Sequence, residues 1–120
     1  MKTKKELKNI YKEKKFKIGV FQIRNIQNNK ILISSSTDLD AIWNRHKFQL
    51  DFGSHFNKEL QKDFNEVGEE GFSFDILDSL KPKEDVKYDY TDDLKILEEM
   101  WLTKLQPYDE EGYNTKDKHE

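Results

Sequence analysis

The sequence predicts an α+β fold: a small three-stranded sheet of antiparallel type, built from a hairpin plus a third strand, flanked by helices and preceded by an extra N-terminal helix. Three observations carry this expectation. Three short runs are dense in β-branched and aromatic residues: IGVFQIR at 18–24, KILIS at 30–34 and FSFDI at 72–76. Three longer segments, 38–51, 57–67 and 91–105, repeat apolar residues at helical spacing. The chain has 120 residues, enough for one small domain, and its eight Phe, five Tyr and two Trp can fill a core although the hydrophobic share is only 34%.

Each element has a local reason. Thr3 and Glu6 have capping-box spacing, with Leu7, Ile10 and Tyr11 following at i, i+3 and i+4, which predicts a short amphipathic helix within residues 1–16. The two β-rich runs at 18–24 and 30–34 flank a short Asn-rich turn, NIQNN at 25–29, and so read as a hairpin. Ser35, Ser36, Thr37 and Asp38 offer several N-caps. Leu39, Ile42, Trp43, His46 and Leu50 then share one face of a helix over 38–51. Residues 52–55 form a loop, and Asn57 caps a helix that buries Leu60, Phe64 and Val67 and stops at Gly68. Phe72, Phe74 and Ile76 alternate with Ser73 and Asp75 as a third strand. Residues 78–90 read as a flexible polar linker. Thr91 or Asp92 caps a last helix through Leu94, Leu97, Trp101 and Leu105, with Pro107 just past its end. Trp43, Phe64, Phe74 and Trp101 are expected in the core, and the tail 115–120 is expected to be disordered.

Composition excludes several classes. No apolar run approaches the roughly 20 residues that span a bilayer, so no membrane partner is expected. The N-terminus is basic without an apolar stretch behind it, unlike a secretory signal. Cysteine is absent, which removes disulfides, thiolate zinc sites and Cys nucleophiles and fits a reducing cytoplasm. The net charge of −3 hides an asymmetry: residues 1–17 carry eight Lys against Glu6 and Glu13, and everything after them is net acidic. A basic arm on an acidic body is one mark of nucleic-acid contact, and it is equally the mark of a solvated helix.

Generic chemistry is sparse. There is no Gly-rich phosphate loop. His46, His55 and His119 lack the paired spacing of a metal site. The paired acids Asp92/Asp93 and Glu98/Glu99 suit a helix start and a solvated face.

The order of short motifs, however, resembles the GIY-YIG endonuclease superfamily. Gly19-Val20-Phe21 stands where that family has Gly-Ile-Tyr, and Leu32-Ile33-Ser34 where it has Tyr-Ile-Gly. Ser35 to Leu39 resembles its polar turn into the first core helix. Trp43-Asn44-Arg45-His46 and Gly53-Ser54-His55, with Asn57, Leu60 and Gln61, resemble its helical segment. Gly68 to Phe74 resembles its approach to the third strand. Glu98, three residues before Trp101, sits where the family places a metal-binding Glu, and Gly112-Tyr113-Asn114 matches its closing Gly-Tyr-Asn. The resemblance spans residues 17–114, leaving 1–16 as a basic arm. It implies hydrolysis of a DNA phosphodiester with one divalent cation, Mg2+ or Mn2+, held by the Glu, a Tyr helping to activate water and an Arg stabilising the transition state.

The pattern departs where that chemistry happens. The resemblance places the two Tyr at Phe21 and Leu32 and the Arg at Ile42, and none of these side chains can transfer a proton or hold a charge. His55, Asn114 and Glu98 are the retained positions. Arg45 and His46 are non-catalytic in the family pattern, and His46 is expected to be packed. The resulting expectation is a catalytically degenerate nuclease-family protein that acts as a binding module, for DNA or for a protein. Its candidate phosphate contacts are Lys12, Lys14, Lys15, Lys17, Arg24 and Arg45. The alternative is an active metal-dependent endonuclease with the cation at Glu98 and a hydroxyl borrowed from Tyr11 or Tyr113.

Overall fold

The computed structural model describes residues 17–85 and 87–116. The expected arm over 1–16, with Lys12, Lys14 and Lys15, and the last four residues of the expected tail lie outside them. Within them the chain runs β1 (Ile18–Asn25), β2 (Ile31–Ser36), α1 (Leu39–Asp51), α2 (Lys58–Val67), a single 3-10 turn, β3 (Phe72–Leu80) and α3 (Thr91–Leu105).

The sheet is antiparallel throughout, in the order β2-β1-β3. β1 is central and largely buried, because helices cover both faces of the sheet where it runs. The register sets Phe21, Ile23 and Leu32 on one face, where they join Leu39, Leu50, Leu60, Phe64, Phe72 and Tyr113 in the main core beneath α1 and α2. Val20 and Ile33 alternate to the other face, where α3 packs with buried Leu94.

Two strands outrun the sequence expectation. β2 continues through Ser35 and Ser36, which were expected to be cap residues, because both pair with β1 opposite Val20 and Gly19. The cap position falls to Asp38, whose side chain makes no cap bond. β3 continues to Leu80, so the first three residues of the expected linker are strand. A bulge at Leu77, opposite the Val20–Phe21 step, shifts the register and lets the pairing continue from Ile76 to Asp78 and beyond. Gly19 is required there: a Cβ would lie 2.1 Å from the Asp78 carbonyl oxygen. The expected cap of α2 is present, with Leu60 N–H donating to Asn57 Oδ1 at 3.0 Å, and Gly68 ends the helix. α3 begins at Thr91, earlier than a cap at Thr91 or Asp92 would place it: the cap position is Tyr90, which makes no side-chain cap bond, and Thr91 N–H donates to Asp89. Of the four large aromatics expected in the core, Phe64 is buried, while Trp43, Phe74 and Trp101 are half-buried. No helix among the described residues is long and apolar enough to cross a membrane.

Candidate functional site

α1 presents His46 inward, next to Leu50, because both lie on its apolar face. The loop after α1 turns back and delivers His55 beneath it. The two rings meet directly, His46 Nδ1 lying 2.8 Å from His55 Nε2, with both side chains buried. The backbone fixes their tautomers. Asn57 N–H donates to His55 Nδ1 at 3.0 Å, so that nitrogen is unprotonated and the His55 proton sits on Nε2. His55 therefore donates to His46, and His46 carries its own proton on Nε2. His55 is further held by Gln61, which accepts from the His55 N–H at 3.1 Å and donates to the Leu50 carbonyl at 2.9 Å. Burial, reinforced by the neighbouring His55, pushes His46 down to about 4, and burial lowers His55 as well. At neutral pH both rings are uncharged.

The surroundings are apolar. Phe21 meets His46 edge-on at 5.5 Å and Phe74 at 5.4 Å, and Trp43 stacks on Phe74 at 5.9 Å. Leu32 is buried in the same core, and Ile42 packs against it. The three positions where the resemblance implies two hydroxyls and a guanidinium are thus filled by packed hydrocarbon.

Glu98 projects from α3 toward Ser35 of β2. Half-buried, its carboxyl is raised by desolvation, and hydrogen bonding from the Ser35 hydroxyl and N–H opposes that rise. Among the described residues, no hydrogen bond joins it to the histidine pair. Among the described residues, no group of three His, Asp or Glu could enclose a metal ion. A single half-buried carboxylate backed by Ser35 does fit Mg2+ or Mn2+, since Mg2+ commonly takes one or two carboxylates and completes its shell with water and phosphate.

Asn114 is engaged structurally. Its side chain accepts from Ile33 N–H at 2.8 Å and donates to Ile33 C=O at 2.8 Å, satisfying the outer edge of β2 as another strand would. Gly112 makes this approach possible, because a Cβ there would lie 2.3 Å from the Pro107 carbonyl oxygen and 2.6 Å from that of Ile31. Asn114→Ala should cost about 2 kcal/mol by leaving two backbone groups of β2 without partners. A shifted midpoint in urea denaturation would register the loss, and an unchanged midpoint would remove Asn114 from the clamp.

Tyr113 is a poor source of the missing hydroxyl. Its OH donates to Asp63 at 2.6 Å and accepts from Asn25 at 3.1 Å, its ring is buried, and burial raises its pKa well above the phenol range. The other candidate, Tyr11, lies outside the described residues. Of the candidate phosphate contacts, Arg45 is exposed on α1, Arg24 bonds Asn29 at 3.3 Å and Lys17 pairs with Asp40 at 3.6 Å. Sequence reasoning expected His46 only as a packed residue. Its pairing with a histidine nine residues away across a loop has no periodic signature.

Comparison with known proteins follows the same lines. No family model matches the chain. It is 32% identical over 101 residues to intron-associated endonuclease 1 of Enterobacteria phage T4, covering 84% of this chain and 38% of that relative, so it spans well under half of the relative's length. A mutant of the catalytic domain of intron endonuclease I-TevI superposes with a TM-score of 0.71 at 30% identity, covering 85% of this chain and 96% of that one. A second structure, of the catalytic domain of homing endonuclease I-TevI, gives 0.68 at 31% identity over 83% and 99%. A shared fold, shared sequence and near-complete coverage of a catalytic domain place this chain in the GIY-YIG nuclease superfamily.

Proposed function

We propose that this domain is a catalytically degenerate nuclease scaffold that binds DNA without cutting it. The observation that carries the reading is the packed hydrocarbon of Phe21, Leu32 and Ile42. Losing one acid–base group or one charge stabiliser costs on the order of 10²–10⁴ in rate. The remaining histidines do not replace them. With a pKa of about 4, His46 is a weak base at neutral pH, and His55 spends both ring nitrogens on Asn57 and His46.

Glu98 is the feature that keeps the nuclease reading as a second possibility. It would hold a Mg2+ or Mn2+, which when bound supplies charge stabilisation at a phosphate. Ser35 orients the carboxylate for that task and helps keep it ionised.

DNA contact is assigned to the basic arm, through Lys12, Lys14 and Lys15, with the exposed Lys17 and Arg45 as further candidates. Lysines that neutralise phosphates release counterions from the DNA, so the contacts should appear in the salt dependence. Deleting residues 1–15 should weaken duplex DNA binding by roughly tenfold or more at low salt and flatten the dependence of affinity on salt concentration. Unchanged affinity and slope would refute the arm's role. No measurable binding by the full chain would favour a protein partner, to which the acidic remainder of the chain is equally suited.

A further inference from the structure

We propose that the basic N-terminal arm docks back on its own domain, laying Leu7, Ile10 and Tyr11 into an apolar groove on α3. The groove has a volume of about 390 Å³ and runs between the end of β3 and the exposed side of α3, lined by Leu80, Tyr90, Ile96, Leu97 and Met100. Its apolar residues are unusually open, Ile96 being 67% and Met100 53% exposed on the same side of one helix.

Three observations select the arm as the occupant. The first is where the arm leaves the domain. Ile18 pairs directly with Leu80, so the chain enters β1 at the rim of the groove. Tyr11 is six residues before Lys17, a reach of up to about 20 Å, which is ample. The second is pattern: Leu7, Ile10 and Tyr11 share one helical face, the kind of stripe that fits a groove on a helix. The third is charge. The segment 84–93, which leads into α3, carries Glu84, Asp85, Asp89, Asp92 and Asp93 against Lys87 alone, and the ion pairs among the described residues use none of these carboxylates. The arm with Lys17 brings a net of +6. Two lysines at the rim run against this match. One of them, Lys83, lies over the Tyr88 ring at 5.6 Å, and the other, Lys81, is exposed and free to turn outward.

Docking would cover the open apolar face and bring the arm's positive charge to the acidic segment 84–93. The proposal stands whether or not the domain binds DNA.

The chain contains no cysteine, so a single introduced thiol is unique. A nitroxide at Lys8→Cys in ¹⁵N-labelled full-length protein should broaden the amides of residues 80, 96, 97 and 100 several-fold more than those of the hairpin turn at 26–28. Adding Leu7→Asp and Ile10→Asp should return those amides to the level of the turn. Uniform broadening, or broadening centred on the exposed Phe48 of α1 and Phe52 just past its end, would overturn the proposal. So would broadening that appears only when spin-labelled unenriched protein is mixed with unlabelled ¹⁵N protein, which would mean that the arm docks on a second copy.

Discussion

Purified protein should leave supercoiled plasmid intact in Mg2+ or Mn2+, while the triple variant Phe21→Tyr, Leu32→Tyr, Ile42→Arg should nick it. The reason is chemical. Phosphodiester hydrolysis needs a route for the water's proton and a cation for the extra charge of the transition state. Three side chains that could supply them are hydrocarbon here, and removal of several such groups leaves little activity even though their effects are not additive. Leu32→Tyr enlarges a buried core side chain, so circular dichroism of the triple variant must first show the native fold. Tyr adds one oxygen to the Phe21 ring, which already meets the polar His46 edge-on, and Ile42 is only half-buried, so a guanidinium can reach water. Glu98→Ala in the triple variant should abolish the nicking, because the cation would lose its carboxylate. Glu98-dependent cleavage by the unaltered protein would overturn the degenerate reading. An inert triple variant would show that more than these three groups has been lost.

Acid should destabilise the domain through its buried histidine pair, earlier than carboxylate protonation alone would. His46 has a native value of about 4 against 6.5 when unperturbed. Above pH 6.5 neither the folded nor the unfolded chain is protonated there, and the pair contributes no pH dependence. As pH falls below 6.5, the unfolded chain takes up a proton that the native state refuses, so stability drops, and it goes on dropping until about pH 4, where native His46 also protonates. The loss should reach about 2 kcal/mol at pH 5 and about 3 kcal/mol near pH 4. His55 is lowered as well and acts in the same direction. His46→Gln keeps an acceptor for the His55 Nε2–H but removes the titration. Urea denaturation at pH 7 and pH 5 should therefore show a smaller difference for that variant. An equal difference would place the titrating group elsewhere.

Much of the fold is legible in the sequence because it is written in local periodicity. The alternation at 72–76 and the helical stripes at 39–50, 60–67 and 94–105 each mark a face that must be buried. The Asn57 cap and the stop at Gly68 are local hydrogen-bond and dihedral requirements, and both occur where expected. Strand ends are a different matter. Ser35, Ser36 and residues 78–80 have poor strand character of their own and are strand because β1 lies beside them with unpaired backbone groups. Pairing satisfies those groups whatever the side chains prefer.

By itself, then, the sequence determined the α+β class and the faces of each helix, since these depend on residue type and spacing, while the family resemblance singled out Phe21, Leu32 and Ile42. Only the tertiary structure decided what surrounds those positions. It joined His46 to His55, gave Asn114 to the edge of β2, withdrew Tyr113 into a bond with Asp63, and set Glu98 against Ser35. Each of these depends on which backbone donors and apolar surfaces meet once distant segments pack, and neither periodicity nor composition encodes that meeting.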